Sequence, residues 1–270
     1  MAFNPKLATI KLLSKLKFST MAPHQRIAYA NLGVTKVSDL VLACDLDLSM
    51  HQILDLSDDY KVEGSTYLAR FGNRWATVMS PADGAGAWES KLIALISAGA
   101  KKIIQVGVCG SVSKEIKIGD LAVAESVYID DDTSKCHTKK KIIKCDNEIF
   151  HFLKNEVQKI VPDEINLHFV RVVSIPTLFG QTKAMLRNWS KYGETVDMEA
   201  GVLAAICNKN KVEWLGIYAV VDDKLRDRDI FRMADFPMGK IFDNGDFLIR
   251  ALIRGVKDYN LGKPVHGKPK

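Results

Sequence analysis

Continuous runs of Val, Ile and Leu alternate along the chain with stretches whose apolar positions recur every three to four residues. The first pattern predicts strands over residues 38–43, 75–79, 102–108, 121–128, 167–174 and 214–221. The second predicts helices over residues 88–98, 148–160, 183–191, 198–208 and 242–258. Punctuation agrees with this division. Gly84-Ala85-Gly86 opens one helix and Gly99 stops it, while Pro162 ends another. Gly107 and Gly110 predict a tight backbone turn at the end of the 102–108 strand. The helix at 198–208 is rich in Ala and so suited to close packing. Strands continuous in Val, Ile and Leu, separated by helices, imply an α/β fold with a mixed sheet covered on both faces.

No internal repeat and no linker divides the chain, so one domain is expected over residues 21–262. Residues 1–20 contain Lys6, Lys11, Lys15 and Lys17 and no acid, with Leu7, Ile10, Leu13 and Leu16 on one helical face. This basic amphipathic segment is expected to dock as a helix. The alternative is an organelle-targeting peptide, although it lacks Arg and has few Ser. Residues 263–270 form a Pro/Gly/Lys tail expected to be mobile.

At 270 residues, 47% hydrophobic and 26% charged, the chain can bury a full core. A net charge of +6 without a dense Arg stripe argues against a nucleic-acid groove. The triple lysine Lys139-Lys140-Lys141 reads as a solvated loop. No apolar run reaches the ~20 residues that span a bilayer, so no membrane partner is expected. Five scattered cysteines (Cys44, Cys109, Cys136, Cys145 and Cys207) without a CxxC suit a reduced, cytoplasmic setting. Cys136-His137 with Cys145 and His151 has no zinc-module spacing, and neither metal nor cofactor is expected.

Candidate chemistry lies in two acidic elements. Val196-Asp197-Met198-Glu199-Ala200 presents Glu199, and the later strand ends in Val221-Asp222-Asp223. Cleaving a sugar–base bond needs such a division of labour: one carboxylate holds the sugar hydroxyls as positive charge develops, and a second group protonates the leaving base. Acids at strand ends are common, so spacing alone is weak evidence. The glycines do not supply a dinucleotide fingerprint, a P-loop or a G-x-S-x-G elbow.

Val106-Gly107-Val108-Cys109-Gly110-Ser111-Val112, followed by Ile116-Lys117-Ile118-Gly119-Asp120-Leu121, resembles the signature of the nucleoside phosphorylase-I family. That family includes purine nucleoside phosphorylases, uridine phosphorylases and methylthioadenosine nucleosidases. Motif order and spacing match over roughly residues 20–258. The resemblance implies a single α/β domain around a distorted, partly closed mixed sheet, assembled as a homo-oligomer such as a dimer or hexamer. It implies a pocket where Gly107 and Asp223 converge and a small-molecule nucleoside as ligand. Val196 belongs to its ribose-binding element, Met198 to the ribose face, and Glu199 to the acceptor of the 2′- and 3′-hydroxyls. Asp223 matches the aspartate that assists protonation of a purine, with Asp222 where a Ser commonly stands. Arg228 or Arg232 would tune Asp223. Leu178 or Phe179 would cover the base, and His24, after Pro23, would reach a neighbouring subunit's ligand.

On the phosphate side the resemblance fails. Cys44-Asp45-Leu46-Asp47-Leu48 stands where the family has Gly-Asp-Pro-x-Arg, so Cys44 replaces the glycine and Leu48 the arginine. Gln105 replaces a second arginine, and Val108 a phosphate-donating Ser or Thr. Anion binding needs fixed donors and positive charge. Lys61 or a neighbouring subunit would have to compensate. Three readings follow: a nucleosidase with water oriented by Asp47, a phosphorylase with a rebuilt anion site, and a non-catalytic nucleoside-binding sensor, storage or scaffold protein.

Overall fold

The computed structural model describes residues 18–229, 233 and 235–258. Most of the basic segment 1–20, the tail 263–270 and Arg232 lie outside the described residues. The elements are α1 (Pro23–Leu32), β1 (Leu40–Cys44), α2 (Asp47–Asp55), β2 (Asp59–Glu63), β3 (Thr66–Phe71), β4 (Arg74–Met79), α3 (Ala85–Ser97) and β5 (Lys102–Ser111). There follow β6 (Leu121–Ile129), α4 (Asp132–His137), β7 (Ile142–Lys144), α5 (Glu148–Ile160), β8 (Leu167–Ser174) and α6 (Lys183–Trp189). The chain continues through β9 (Thr195–Asp197), α7 (Ala200–Asn210), β10 (Glu213–Asp223), a 3₁₀ turn (Lys224–Arg226) and α8 (Met238–Asp258).

The strands join in the order β10-β6-β8-β9-β5-β1-β4-β3-β2, with β7 beside β6. β10 also pairs in parallel with β5, which closes β5, β10, β6, β8 and β9 into a ring. The sheet is therefore mixed and partly closed, as expected. β1 and β5 are apolar throughout except for Lys102, Gln105 and Ser111, and almost every residue in them is buried, which suits strands covered on both faces. One group of helices (α1, α3, α4 and α7) packs together, and α2 and α5 pack on α8. α8 carries its buried positions (Ile241, Leu248, Ile249, Leu252, Val256) at helical spacing, the amphipathic pattern of a closing helix.

Two features depart from the sequence reading. The hairpin β2–β3, the helices α1, α2 and α4 and the short strands β7 and β9 were not expected. And Gly107 and Gly110 sit in extended strand, without positive φ. Gly107 is needed for close approach: a Cβ there would lie 1.5 Å from Asp45 Oδ2. No helix among the described residues is long and apolar enough to cross a membrane.

Candidate functional site

The carboxyl ends of β1, β5 and β10 meet the end of β9 around a cavity of about 420 Å³, walled on one side by α8. Openings at strand ends are where α/β folds bind ligands. Gly107, Val108, Leu178, Val196, Met198, Glu199, Asp222 and Leu48 line it. α8 and the segment before it add Phe236, Ile241 and Phe242.

The β9 end carries three carboxyls, Asp45, Asp197 and Glu199, whose oxygens lie within 4.8 Å of one another. Local structure fixes each. Asp45 follows β1, its N–H donating to Val106 O at 3.0 Å. Asp197 ends β9 and caps α7: its Oδ1 accepts the Glu199 N–H at 2.7 Å and the Ala200 N–H. Glu199 stands at the N-cap position, but its side chain does not cap; Oε1 accepts the Gly84 N–H at 2.5 Å. Gly84 opens α3 at φ 88°, a conformation that favours glycine.

Gln105, fully buried on β5, ties this cluster together. Its Nε2 donates to Asp45 (3.1 Å to Oδ1) and to Asp197 Oδ2 at 3.0 Å. Its Oε1 accepts the Tyr218 hydroxyl at 2.9 Å. Among the described residues no Lys, Arg or His pairs with these three acids. Burial, then the charge of Asp197, pushes Glu199 up to about 8. Burial pushes Asp197 up to about 6, against the Ala200 and Glu199 N–H groups and the Gln105 amide. Burial, then the charges of Asp197 and Glu199, raises Asp45 well above the ordinary range. Three acids this close in an apolar wall cannot all ionise near neutrality, so the cluster retains a proton. Their spacing would suit a cation, and six hydrogen-bond contacts from N–H donors already engage their oxygens.

The β10 end is different. Asp222 lines the cavity, and Lys224 Nζ lies 2.7 Å from it. Asp223, the acid expected there, does not line the cavity. It is buried against Arg226, whose guanidinium and backbone N–H it accepts. The cause is a β-bulge: β10 pairs with β5 in register up to Val220↔Cys109, then resumes at Asp222↔Gly110, leaving Val221 unpartnered. Regular alternation through Ala219 and Val221 would have brought Asp223 to the cavity; the bulge brings Asp222. Arg228 meets Asp223 only through backbone bonds.

Other expected residues fall elsewhere. Asp47 is exposed in the first turn of α2 and is not part of the cavity wall; Asp45 is the acid there. Phe179 is 82% exposed and off the wall, whereas Leu178 is on it. Cys44 is buried in β1, Leu48 lies on the wall at 49% exposure, and Val108 is half-buried on it. Lys61 pairs with Glu63 at 2.8 Å on the exposed β2. His24 is exposed on α1, outside the wall of its own chain. Cys136, His137, Cys145 and His151 do not converge: His137 meets Glu89 at 2.5 Å, His151 meets Asp146 at 2.7 Å, and Cys145 donates to Trp214 O. The sequence reading missed the roles of Asp45, Asp197 and Tyr218. A phenol within the aliphatic run of β10 was the available signal, since a buried tyrosine needs a partner.

Comparison with known proteins follows the same lines. A purine nucleoside phosphorylase of the DeoD type from Caldanaerobacter subterraneus subsp. tengcongensis is 29% identical over 129 residues, 47% of this chain and 55% of that one. Its counterpart from Clostridium novyi is 28% identical over 127 residues, 47% of this chain and 54% of that one. The chain thus spans about half the length of the curated relatives it matches. Among solved structures, uridine phosphorylase from Vibrio fischeri ES114 superposes with a TM-score of 0.72 at 17% identity, covering 83% of this chain and 93% of that one. The Campylobacter jejuni 5′-methylthioadenosine/S-adenosyl homocysteine nucleosidase gives 0.68 at 16%, covering 82% and 100%. At such identities these two establish the fold. The family model for the Phosphorylase superfamily matches residues 59–236, more than half of the chain, and the chain belongs to that superfamily.

Proposed function

We propose that this chain cleaves the N-glycosidic bond of a nucleoside, of the purine class, with water as the acceptor. The carrying observation is the charge of the cavity wall. Asp45, Asp197, Glu199 and Asp222 line it, Lys224 is its only cationic residue among those described, and Lys224 is paired with Asp222. Where the family resemblance puts phosphate ligands stand Leu48, Gln105 and Val108. Phosphate would meet carboxyls and alkyl groups instead of fixed cationic donors, each lost charged bond costing roughly 1.5–3 kcal/mol.

Water needs no such cradle. In this reading Glu199 accepts the ribose hydroxyls and Met198 packs on the sugar face. Water held by Asp45 attacks the anomeric carbon and gives Asp45 its proton as the carbon–nitrogen bond breaks. The departing base takes its proton from the Lys224 ammonium, which Asp222 holds at 2.7 Å, with Leu178 and Phe242 beside it, and Lys224 regains a proton as Asp45 releases the one it took from water. Asp45 and Asp222 thus replace Asp47 and Asp223 in the roles first assigned. His24, exposed on α1, completes the site of a second copy, which makes the chain a homo-oligomer.

The test is release of free base from a panel of purine, pyrimidine and 5′-substituted adenosine nucleosides, with and without phosphate. Hydrolysis yields base and ribose at a rate independent of phosphate. A phosphate-dependent rate with ribose 1-phosphate as product points to a rebuilt anion site. Binding without release under any condition points to a sensor. Sedimentation of a 30.0 kDa species alone would remove the role of His24.

A further inference from the structure

The ion pair at the β10 end is held in place from several sides. Lys224 opens the 3₁₀ turn after β10, and Asp223 fixes that turn by accepting the Arg226 N–H at 3.2 Å. The lysine stem folds back over β5 at Gly110, where a Cβ would lie 3.3 Å from its Cγ and Cε and 3.1 Å from Val196. Nζ thereby reaches Asp222 Oδ2 at 2.7 Å. The lysine side chain is 13% exposed and the aspartate's 11%, and both line the cavity with Ala219, Val221 and Phe242. A mostly buried ion pair adds little net stability, because desolvation offsets the attraction. What it supplies is direction: a donor beside an acceptor on the cavity wall. The ammonium has three N–H groups and gives one to Asp222, while a carboxylate only accepts and has room for more than one donor.

Resting on the nucleosidase reading for where the base lies, we propose that Lys224 and Asp222 together read one edge of a purine and select 6-aminopurine nucleosides over 6-oxopurine ones. The N7 edge of adenine presents an acceptor at N7 and a donor at the 6-amino group. That is the complement of the pair, with the ammonium on N7 and the carboxylate on the amino group. The same edge of a 6-oxopurine presents two acceptors, N7 and O6. The ammonium still finds N7, but O6 then meets a carboxylate with no hydrogen to give. The other donor–acceptor edge of a 6-oxopurine, O6 with N1–H, lies farther from the sugar, and its use takes N7 off the ammonium that protonates the departing base. Position 222 is where the family resemblance has a Ser. A hydroxyl both donates and accepts, so it serves an amino or an oxo group alike. The aspartate, with a lysine two residues on to hold it, serves only the amino group.

The experiment reads binding without cleavage. Carbocyclic nucleosides, with a methylene in place of the ribose ring oxygen, keep the diol and the base but cannot form the oxocarbenium-like cation that bond breaking needs. Calorimetric titration compares carbocyclic adenosine, carbocyclic inosine and carbocyclic 7-deazaadenosine in wild type, Asp222→Ser and Lys224→Met. Wild type is expected to bind the adenosine analogue about tenfold to a hundredfold tighter than the inosine analogue, the usual discrimination of a two-point base contact. Asp222→Ser should bring the two close together, because its hydroxyl serves both. The 7-deaza analogue, which lacks the N7 acceptor, should bind about tenfold more weakly than the adenosine analogue in wild type and equally well in Lys224→Met. A wild type that binds the inosine analogue as tightly as the adenosine analogue, or binds none of the three, overturns the inference. So does a preference left unchanged in folded Asp222→Ser. If Lys224→Met, which leaves Asp222 unpaired, does not fold, the 7-deaza comparison in wild type decides the part played by N7. Base release from adenosine and inosine separates the two readings. Selective binding with no release of adenine defeats the nucleosidase reading and upholds the base assignment. Release from both at equal kcat/KM defeats the base assignment alone.

Discussion

At the β10 end of the cavity each acid has a cation of its own, Lys224 for Asp222 and Arg226 for Asp223. At the β9 end three acids share one amide, a few backbone N–H groups and no cation. Carboxyls are distributed through one small cavity by two different rules. A paired acid is committed to its partner. Unpaired acids in a buried cluster lower their mutual repulsion by keeping a proton, and so remain open to a ligand that brings its own hydrogens. A nucleoside offers two at the ribose diol. The nucleosidase proposal accordingly puts sugar recognition at the cation-free end and proton delivery at the paired end.

The largest expected effect tests the paired end. Asp222→Asn should slow base release by about 10²–10⁴-fold, the usual range for a proton-transfer group. Asp223→Asn should leave the rate within a few-fold of wild type. A reversal of that order, measured on the same nucleoside, would show that the bulge does not decide which acid works.

Next comes the cluster itself. Glu199→Gln should weaken ribonucleoside binding about tenfold or more above pH 8, where Glu199 is ionised, one charge-assisted bond being worth roughly 1.5–3 kcal/mol, with 2′-deoxynucleosides affected less and with a smaller loss near neutrality. The same variant sharpens the pH contrast. Glu199 sits at about 8 in the folded chain, above its ordinary value of 4.5. The folded state therefore binds this proton more tightly than the unfolded state. Its contribution is fully present below pH 4.5 and is lost as pH rises toward and through 8. Thermal melts of the ligand-free protein should fall over that window in wild type and fall less in Glu199→Gln. Equal slopes would mean that the cluster holds no extra proton.

A smaller effect probes the placement of Asp45. Gly107→Ala should cost about 1–3 kcal/mol by overpacking, because its methyl would collide with the Asp45 carboxyl. Gly86→Ala, with nothing within 4 Å, is the matched control. Smallest of all, Asp223→Asn should lower stability by about 1 kcal/mol, since its Arg226 partner is half exposed. Chemical denaturation of the four proteins gives both values.

Much of the fold was legible because buried strands and amphipathic helices leave strong periodic signals. The helix over 148–160 and the strand over 167–174 coincide with α5 and β8 residue for residue. β2 was invisible for a physical reason: it is a sheet edge exposed along almost its whole length, so no face alternates. The glycines of β5 read as a turn because close side-chain approach and left-handed backbone both select glycine, and a sequence does not say which. Glu199 and Met198 were legible as cavity residues from a short motif. Asp222 and Asp45 were not, because the first is set by a register shift between β10 and β5 and the second by how the chain leaves β1. Gln105 was visible only as a missing arginine; its partners lie 60, 92 and 113 positions away in the chain.

The unpartnered Val221 gives β10 an adjustable length. Pairing Val221 in register with β5, with no bulge, would restore strict alternation and rotate the strand's end by half a turn, bringing Asp223 inward with its arginine and sending Asp222 and its lysine out; excising Val221 would leave Asp222 inward. Two sequences with the same acids in the same order can thus present different proton donors to the same ligand. Within such a lineage, which aspartate pairs with Gly110 is the quantity to align, ahead of the identity of either acid.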